Sequence, residues 1–194
     1  HVDVPAYIAL VGEGDYAGAI NMIRKDNPFP TACAFVCEHP CEERCRRTLI
    51  DAPINIRGIK KFAVDSMPAD KVQTPKPADP TGKKVAVIGG GPSGLTCAYF
   101  CCFDWATESA RFSKRRKHLG GMMRYGIPAY RFPRERLDED IRAILQRAIS
   151  PSTTKAISTL TPWHKSRRTT MLAMWLLVHR AVRACVWKAL MLKA

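Results

Sequence analysis

Residues 83–100 read KKVAVIGGGPSGLTCAYF. The run from Val85 to Ile88 is short, apolar and rich in β-branched residues, the pattern of a buried strand. Gly89, Gly91 and Gly94 follow at GxGxxG spacing, and Pro92 to Phe100 opens a helix. That context, strand before and helix after, is what a dinucleotide-binding turn requires. In such a turn the first glycine permits the tight reversal and the second lets backbone approach a pyrophosphate. The third lets helix and strand pack closely. The helix N-terminus adds free N–H groups and partial positive charge for the phosphates. The spacing does not separate FAD from NAD.

Upstream lies a second pattern, NPFPTACAFVCEHPCEERC, residues 27–45, with Cys33, Cys37, Cys41 and Cys45 four residues apart. Thiolates are the usual ligands of iron–sulfur clusters. A spacing of four puts successive sulfurs near one face of a helix, although Pro40 divides the run into two short turns. The four cysteines are expected to turn toward one another. Arg44, Arg46 and Arg47 are cations that would raise a cluster's potential, and Glu42 and Glu43 sit among them. His39 reads as an exposed loop residue. Zinc also takes four thiolates, but its ribbons favour two-residue gaps in separated pairs. Cys97, Cys101, Cys102 and Cys185 show no comparable pattern.

Between these motifs the chain reads as helices and a linker. Asp15 caps AGAINMIRK, where Ala19, Ile20 and Ile23 form an apolar stripe. Ile54 to Val64 predicts another helix before Met67. Residues 68–82, PADKVQTPKPADPTG, hold four prolines and almost no large apolar residue, the composition of a linker. Residues 133–149 predict an amphipathic helix with Leu137, Ile141, Ile144 and Leu145 on one side. The expected division is a helical domain over 1–67, a linker over 68–82, a partial dinucleotide-binding domain over 83–149, which the resemblance given below implies to be FAD-binding, and an atypical tail over 150–194.

The net charge of +14 would ordinarily point to nucleic acid or an anionic membrane. Its distribution argues against both. Residues 1–100 carry 12 Lys+Arg and 11 Asp+Glu, whereas residues 141–194 carry ten basic residues and no acid. A nucleic-acid surface seldom excludes acids from a whole segment, including its distal face. No apolar run reaches the roughly 20 residues of a membrane span, and HVDVP at residues 1–5 does not read as a secretory signal. Eight cysteines in such a chain favour metal ligation over disulfides and a cytoplasmic setting.

Three stretches in order, NPFPTACAFVCEHPCEERCRR, GKKVAVIGGGPSGLTCAY and LGGMMRYGIPAYRFPRERL, resemble the small (beta) subunit family of NADPH-dependent glutamate synthase. The family includes related FAD and iron–sulfur oxidoreductases and the N-terminal part of dihydropyrimidine dehydrogenase. The resemblance covers residues 1–100 and 119–148. It implies an α-helical 4Fe–4S domain followed by an α/β, Rossmann-like FAD domain, here incomplete, with an inserted NADPH domain. NAD(P)H would reduce the flavin, and clusters would relay electrons to a larger catalytic subunit or domain. Neither nucleic acid nor membrane is an expected partner. By the match, Cys33, Cys37, Cys41 and Cys45 are cluster ligands or their neighbours. Gly89, Gly91, Pro92, Ser93 and Gly94 touch the FAD pyrophosphate. Leu119, Gly120, Gly121 and Arg124 lie along the flavin, where Arg124 offsets charge on the reduced ring.

Three departures qualify the match. The family's first cysteine group is expected just before His1, so two complete clusters are not expected from these residues. Residues 101–118, CCFDWATESARFSKRRKH, offer no alternating apolar strand where the family has its second strand and a ribose-binding acid. Residues 150–194 lack the rest of the FAD domain and the start of the NADPH domain. A shifted reading frame accounts for the last two. Read from each third codon base, residues 186–194 allow Leu-Glu-Gly-Ile-Asp-Ala-Lys-Gly, which resembles a family loop. The expected reading is thus a frame-disrupted fragment that does not itself oxidise NADPH, with residues 101–118 and 150–194 poorly ordered. A non-enzymatic iron–sulfur module and a zinc-binding interaction domain are the alternatives.

Overall fold

The computed structural model describes residues 2–73, 84–103, 109–114, 117–148, 158–159, 172–175 and 190–191. The chain divides into two compact units, residues 1–75 with 127–143, and residues 76–126 with 144–194. Residues 127–143, placed by sequence in the partial FAD domain, therefore keep company with the N-terminal helices.

The first unit is helical, with no strand among its described residues. Helix α1 (Val4–Gly12) starts at Asp3, whose carboxylate accepts from the Ala6 N–H at 3.1 Å. Helix α2 (Tyr16–Arg24) starts at Asp15, which accepts from Gly18 at 2.8 Å. Each such cap satisfies a donor that the helix cannot satisfy itself, worth about 1 kcal/mol. Helix α3 (Pro30–Val36) and helix α4 (Pro40–Glu43) each have proline in the first turn, where its fixed φ suits a helix start and its missing N–H costs nothing. A one-turn 3-10 helix spans Arg46–Leu49, and helix α5 (Ile56–Ser66) is capped by Asn55.

The predicted stripe of α2 becomes core. Ala19, Ile20 and Ile23 are wholly buried, and α5 packs against α1, α2 and α3. Tyr7, Ala19, Ile23 and Ile56 form one apolar cluster, while Ile20, Ala34, Val64 and Val72 form a second. Full burial of each isoleucine contributes about 1.5–3 kcal/mol. Residues 127–143 add Phe132, Leu137 and Ile141 to the buried set, and the rings of Phe35 and Phe132 lie 5.5 Å apart.

The second unit holds strand β1 (Lys84–Ile88), helix α6 (Pro92–Phe103), strand β2 (Ser109–Lys114) and helix α7 (Met122–Tyr125). Helix α8 (Arg134–Ala148) begins in the first unit and ends in the second. The short strands β3 (Ser158–Thr159), β4 (Leu172–Trp175) and β5 (Leu190–Met191) complete a sheet ordered β3-β2-β1-β4-β5. Strand β1 pairs parallel with β2, Val87 opposite Phe112, and parallel with β4, Val87 opposite Met174. Strand β5 alone is antiparallel.

This corrects the expectation that residues 101–118 supply no strand. Ala110 and Phe112 alternate with polar neighbours in β2, a weak pattern that pairing with β1 suffices to recruit. Leu172–Trp175 runs as strand β4. The remaining expectations about 101–118 and 150–194 fall mostly on residues outside those described.

Candidate functional site

The two candidate sites lie in different units. In the first, proline and left-handed backbone fix the cysteines. Cys33 sits within α3, and Cys37 caps its C-terminus in extended conformation. His39 then takes a left-handed φ of 46° before Pro40 opens α4, which carries Cys41. Cys45 precedes the 3-10 turn. Cys33, Cys37 and Cys45 are half-buried free thiols, and Cys41 is exposed.

Their surroundings differ. Asn27 donates its side-chain N–H to Cys33 Sγ at 3.0 Å. Burial nevertheless pushes the Cys33 thiol up, against that hydrogen bond and the nearby Lys60. The His39 backbone N–H donates to Cys37 Sγ at 3.3 Å, and its ring Nδ1 lies 3.3 Å from the Cys37 carbonyl. His39 is thus tied to Cys37 rather than loose in a loop. Arg57, at the start of α5, donates its backbone N–H to Glu42 Oε1 at 2.7 Å and its guanidinium to the Cys37 carbonyl at 3.3 Å. Tyr7 is wholly buried. Burial first, then the charges of Cys41, Glu42 and Cys37, push its phenol well above the usual range.

Among the described residues, no three of His, Cys, Asp and Glu are gathered as a metal-holding group. The expected convergence of the four sulfurs is therefore not seen in the chain's own packing. Pro40 and the left-handed His39 place Cys37 and Cys41 on separate short helices, and thiols have no mutual attraction before metal binds. In kind the donors still fit a cluster: four soft thiols, none in a disulfide, held at a polar surface. Asn27, Arg57 and Tyr7 were not legible as site residues, because each approaches the cysteines from another helix or turn.

In the second unit the glycines do distinct work. Gly89 has φ of 115°, a conformation that side chains resist. A Cβ on Gly94 would lie 1.9 Å from the Gly89 carbonyl oxygen and 3.3 Å from Val87 Cγ1, so this glycine lets α6 close onto β1. Gly120 donates its N–H to the Gly90 carbonyl at 2.7 Å. Gly121, with φ of 52°, comes so close that a Cβ there would meet Gly91 Cα at 2.6 Å. Leu119 is buried, and its carbonyl accepts from Arg124 Nε at 2.7 Å. The structure thus brings Gly90, Gly91 and Pro92 against Gly120 and Gly121, while Ser93 and Gly94 lie at the start of α6 and Arg124 is bonded to Leu119. Gly91 is the exception among the glycines. Its φ is not positive, and a Cβ there would meet only Gly121 Cα at an ordinary 3.7 Å.

A helical domain carrying a cysteine-rich segment defines the class, and residues 1–72 match the family model described as dihydropyrimidine dehydrogenase domain II, 4Fe-4S cluster. The chain matches the small-subunit family of iron–sulfur oxidoreductases that its motifs resemble. It is 38% identical over 145 residues to the NADPH-Fe(3+) oxidoreductase subunit beta of Geobacter sulfurreducens (strain DL-1 / KN400), covering 74% of this chain and 22% of that protein. It is 35% identical over 168 residues to the NADP(+)-dependent formate dehydrogenase subunit beta of Moorella thermoacetica, covering 74% of this chain and 23% of that one. Identity to the NAD-dependent dihydropyrimidine dehydrogenase subunit PreT homolog of Salmonella typhi is 33% over 150 residues, covering 76% of this chain and 36% of that one. The chain therefore spans between 22 and 36% of the length of these relatives. Among the described residues, no helix is long and apolar enough to cross a membrane.

Proposed function

We propose that this chain is part of an FAD- and 4Fe–4S-dependent oxidoreductase. In the intact protein, electrons from NAD(P)H pass through flavin to iron–sulfur clusters and on to a larger partner, as in glutamate synthesis. The relatives are by name subunits of an NADPH-Fe(3+) oxidoreductase and an NADP(+)-dependent formate dehydrogenase, which supports both the partner and the nicotinamide donor. A cytoplasmic setting, where thiols stay reduced, belongs to the same reading.

The observation that carries the flavin part is Gly91. The protein's own packing has room for a Cβ there, so its backbone is left open to an approaching group. A pyrophosphate seated at the start of α6 is such a group. The β1–α6–β2 crossover with parallel pairing, followed by β4 on the other side of β1, supports a Rossmann-like, doubly wound sheet.

Within this reading, Gly91, Pro92, Ser93 and Gly94 would hold the pyrophosphate, Leu119 to Gly121 would flank the ring system, and Arg124 would place a cation beside it. Flavin would supply the conversion of a hydride into single electrons. Cys37, Cys41 and Cys45, with Cys33 as ligand or neighbour, would hold a 4Fe–4S cluster. The test is Gly91→Ala in the 194-residue chain, compared with wild type for bound flavin. The fold should survive and the flavin should be lost. Stoichiometric flavin in the variant would sink the assignment.

A second reading is a non-enzymatic iron–sulfur module, favoured by the restriction of the family match to residues 1–72. Iron and sulfide without flavin in the wild-type chain would establish it. Zinc in their place would establish an interaction domain.

A further inference from the structure

The Cys37–Cys41 turn is held from one side by a charged clamp that no cysteine pattern predicts. Arg57 contributes two donors, its backbone N–H to Glu42 Oε1 at 2.7 Å and its guanidinium to the Cys37 carbonyl at 3.3 Å. Glu42, with its second oxygen, lies 3.8 Å from His39 Nε2. His39 in turn donates its backbone N–H to Cys37 Sγ. The Tyr7 hydroxyl donates to the carbonyl of Ile56, the residue before Arg57, at 3.3 Å, and Tyr7 and Ile56 both belong to the buried core. One cation and one anion thus lie at the turn that carries Cys37 and Cys41, tied to the start of α5.

We propose that Arg57 and Glu42 are the positioning and charge-setting residues of the cysteine site, holding the Cys37–Cys41 turn in shape and setting, with opposite signs, the reduction potential of the cluster it carries. The inference rests on the iron–sulfur reading. Reduction adds negative charge to a cluster, so a fixed cation nearby favours the reduced form and a fixed anion disfavours it. The surface arginines Arg44, Arg46 and Arg47 are exposed, and water and salt screen them. Arg57 is half-buried and bonded directly to the ligand loop, so its charge acts through less solvent.

The experiment uses the full chain, reconstituted with iron and sulfide, comparing wild type with Arg57→Met and Glu42→Gln. Iron and sulfide content comes first. If the wild type binds neither, the iron–sulfur reading fails and takes this inference with it. If it binds both, midpoint potentials from an optical redox titration decide. Arg57→Met should be more negative than wild type and Glu42→Gln more positive, with far-UV circular dichroism unchanged. Arg57→Lys keeps the charge and should return most of the potential lost in Arg57→Met. A purely structural role would move both variants the same way, and that result, or no movement in either, overturns the proposal. Should Arg57→Met fail to assemble a cluster, Glu42→Gln decides alone. A positive shift supports the proposal and an unchanged potential refutes it.

Discussion

Asp140 offers the sharpest test of the helical unit. It lies on α8, is wholly buried, and accepts from the backbone N–H groups of Ala32 at 2.9 Å and Thr31 at 3.3 Å. It therefore caps α3, the cysteine-bearing helix, from more than a hundred residues away. Burial raises its carboxyl to about 7, against the two backbone hydrogen bonds and the nearby Arg24. The sign follows. A carboxyl whose folded pKa exceeds its unfolded value binds its proton more tightly in the fold. It therefore adds stability fully at low pH and loses it as pH rises from about 4 through about 7. Three pKa units correspond to about 4 kcal/mol at most. In Asp140→Asn that group no longer titrates. Urea unfolding of wild type and variant between pH 4 and 8 isolates the contribution, because the other groups cancel in the difference. Wild type should lose stability relative to Asp140→Asn across that window. Asp140→Ala, which orphans two buried donors, should cost about 1–3 kcal/mol for each at low pH. A difference between wild type and Asp140→Asn that stays flat with pH, or grows in favour of wild type, would refute the reasoning.

Two further outcomes are expected. Timed alkylation of the metal-free chain, read by peptide mass spectrometry, should label exposed Cys41 first among the four site thiols and Cys33 last. Cys33 is half-buried, and burial raises its thiol, which lowers the reactive thiolate fraction; rapid labelling of Cys33 contradicts this. Gly94→Ala should lower the stability of the second unit as well as its flavin content, because the new Cβ would sit 1.9 Å from the Gly89 carbonyl. Hydrogen exchange of β1 and α6 reads that loss, and exchange equal to wild type would show that the turn relaxes without cost.

What was legible in the sequence was local. Asp15 and the apolar residues three and four apart after it announce α2, because cap and stripe lie within a few residues of one another. The glycine turn is legible for the same reason, being a demand on a few consecutive backbone positions. Strand β2 was not legible. Ala110 and Phe112 make too slight an alternation, and the partner that selects them as a strand is Val87 and its neighbours, more than twenty residues earlier. Asp140 was hidden more deeply. On a helical wheel it is one acid among Asp138, Glu139 and others, and only its bonds to Thr31 and Ala32 distinguish it. Arg57 is similar, since its significance lies in Glu42 and Cys37. In each missed case the deciding interaction joins segments that sequence periodicity treats separately. Candidate ligands can be proposed from residue type and spacing, whereas the residues that contact them from other elements are brought there by the fold. For this chain, that division separates the cysteines and the adjacent Glu42, which the sequence displays, from Arg57 and Asp140, which the fold brings to them.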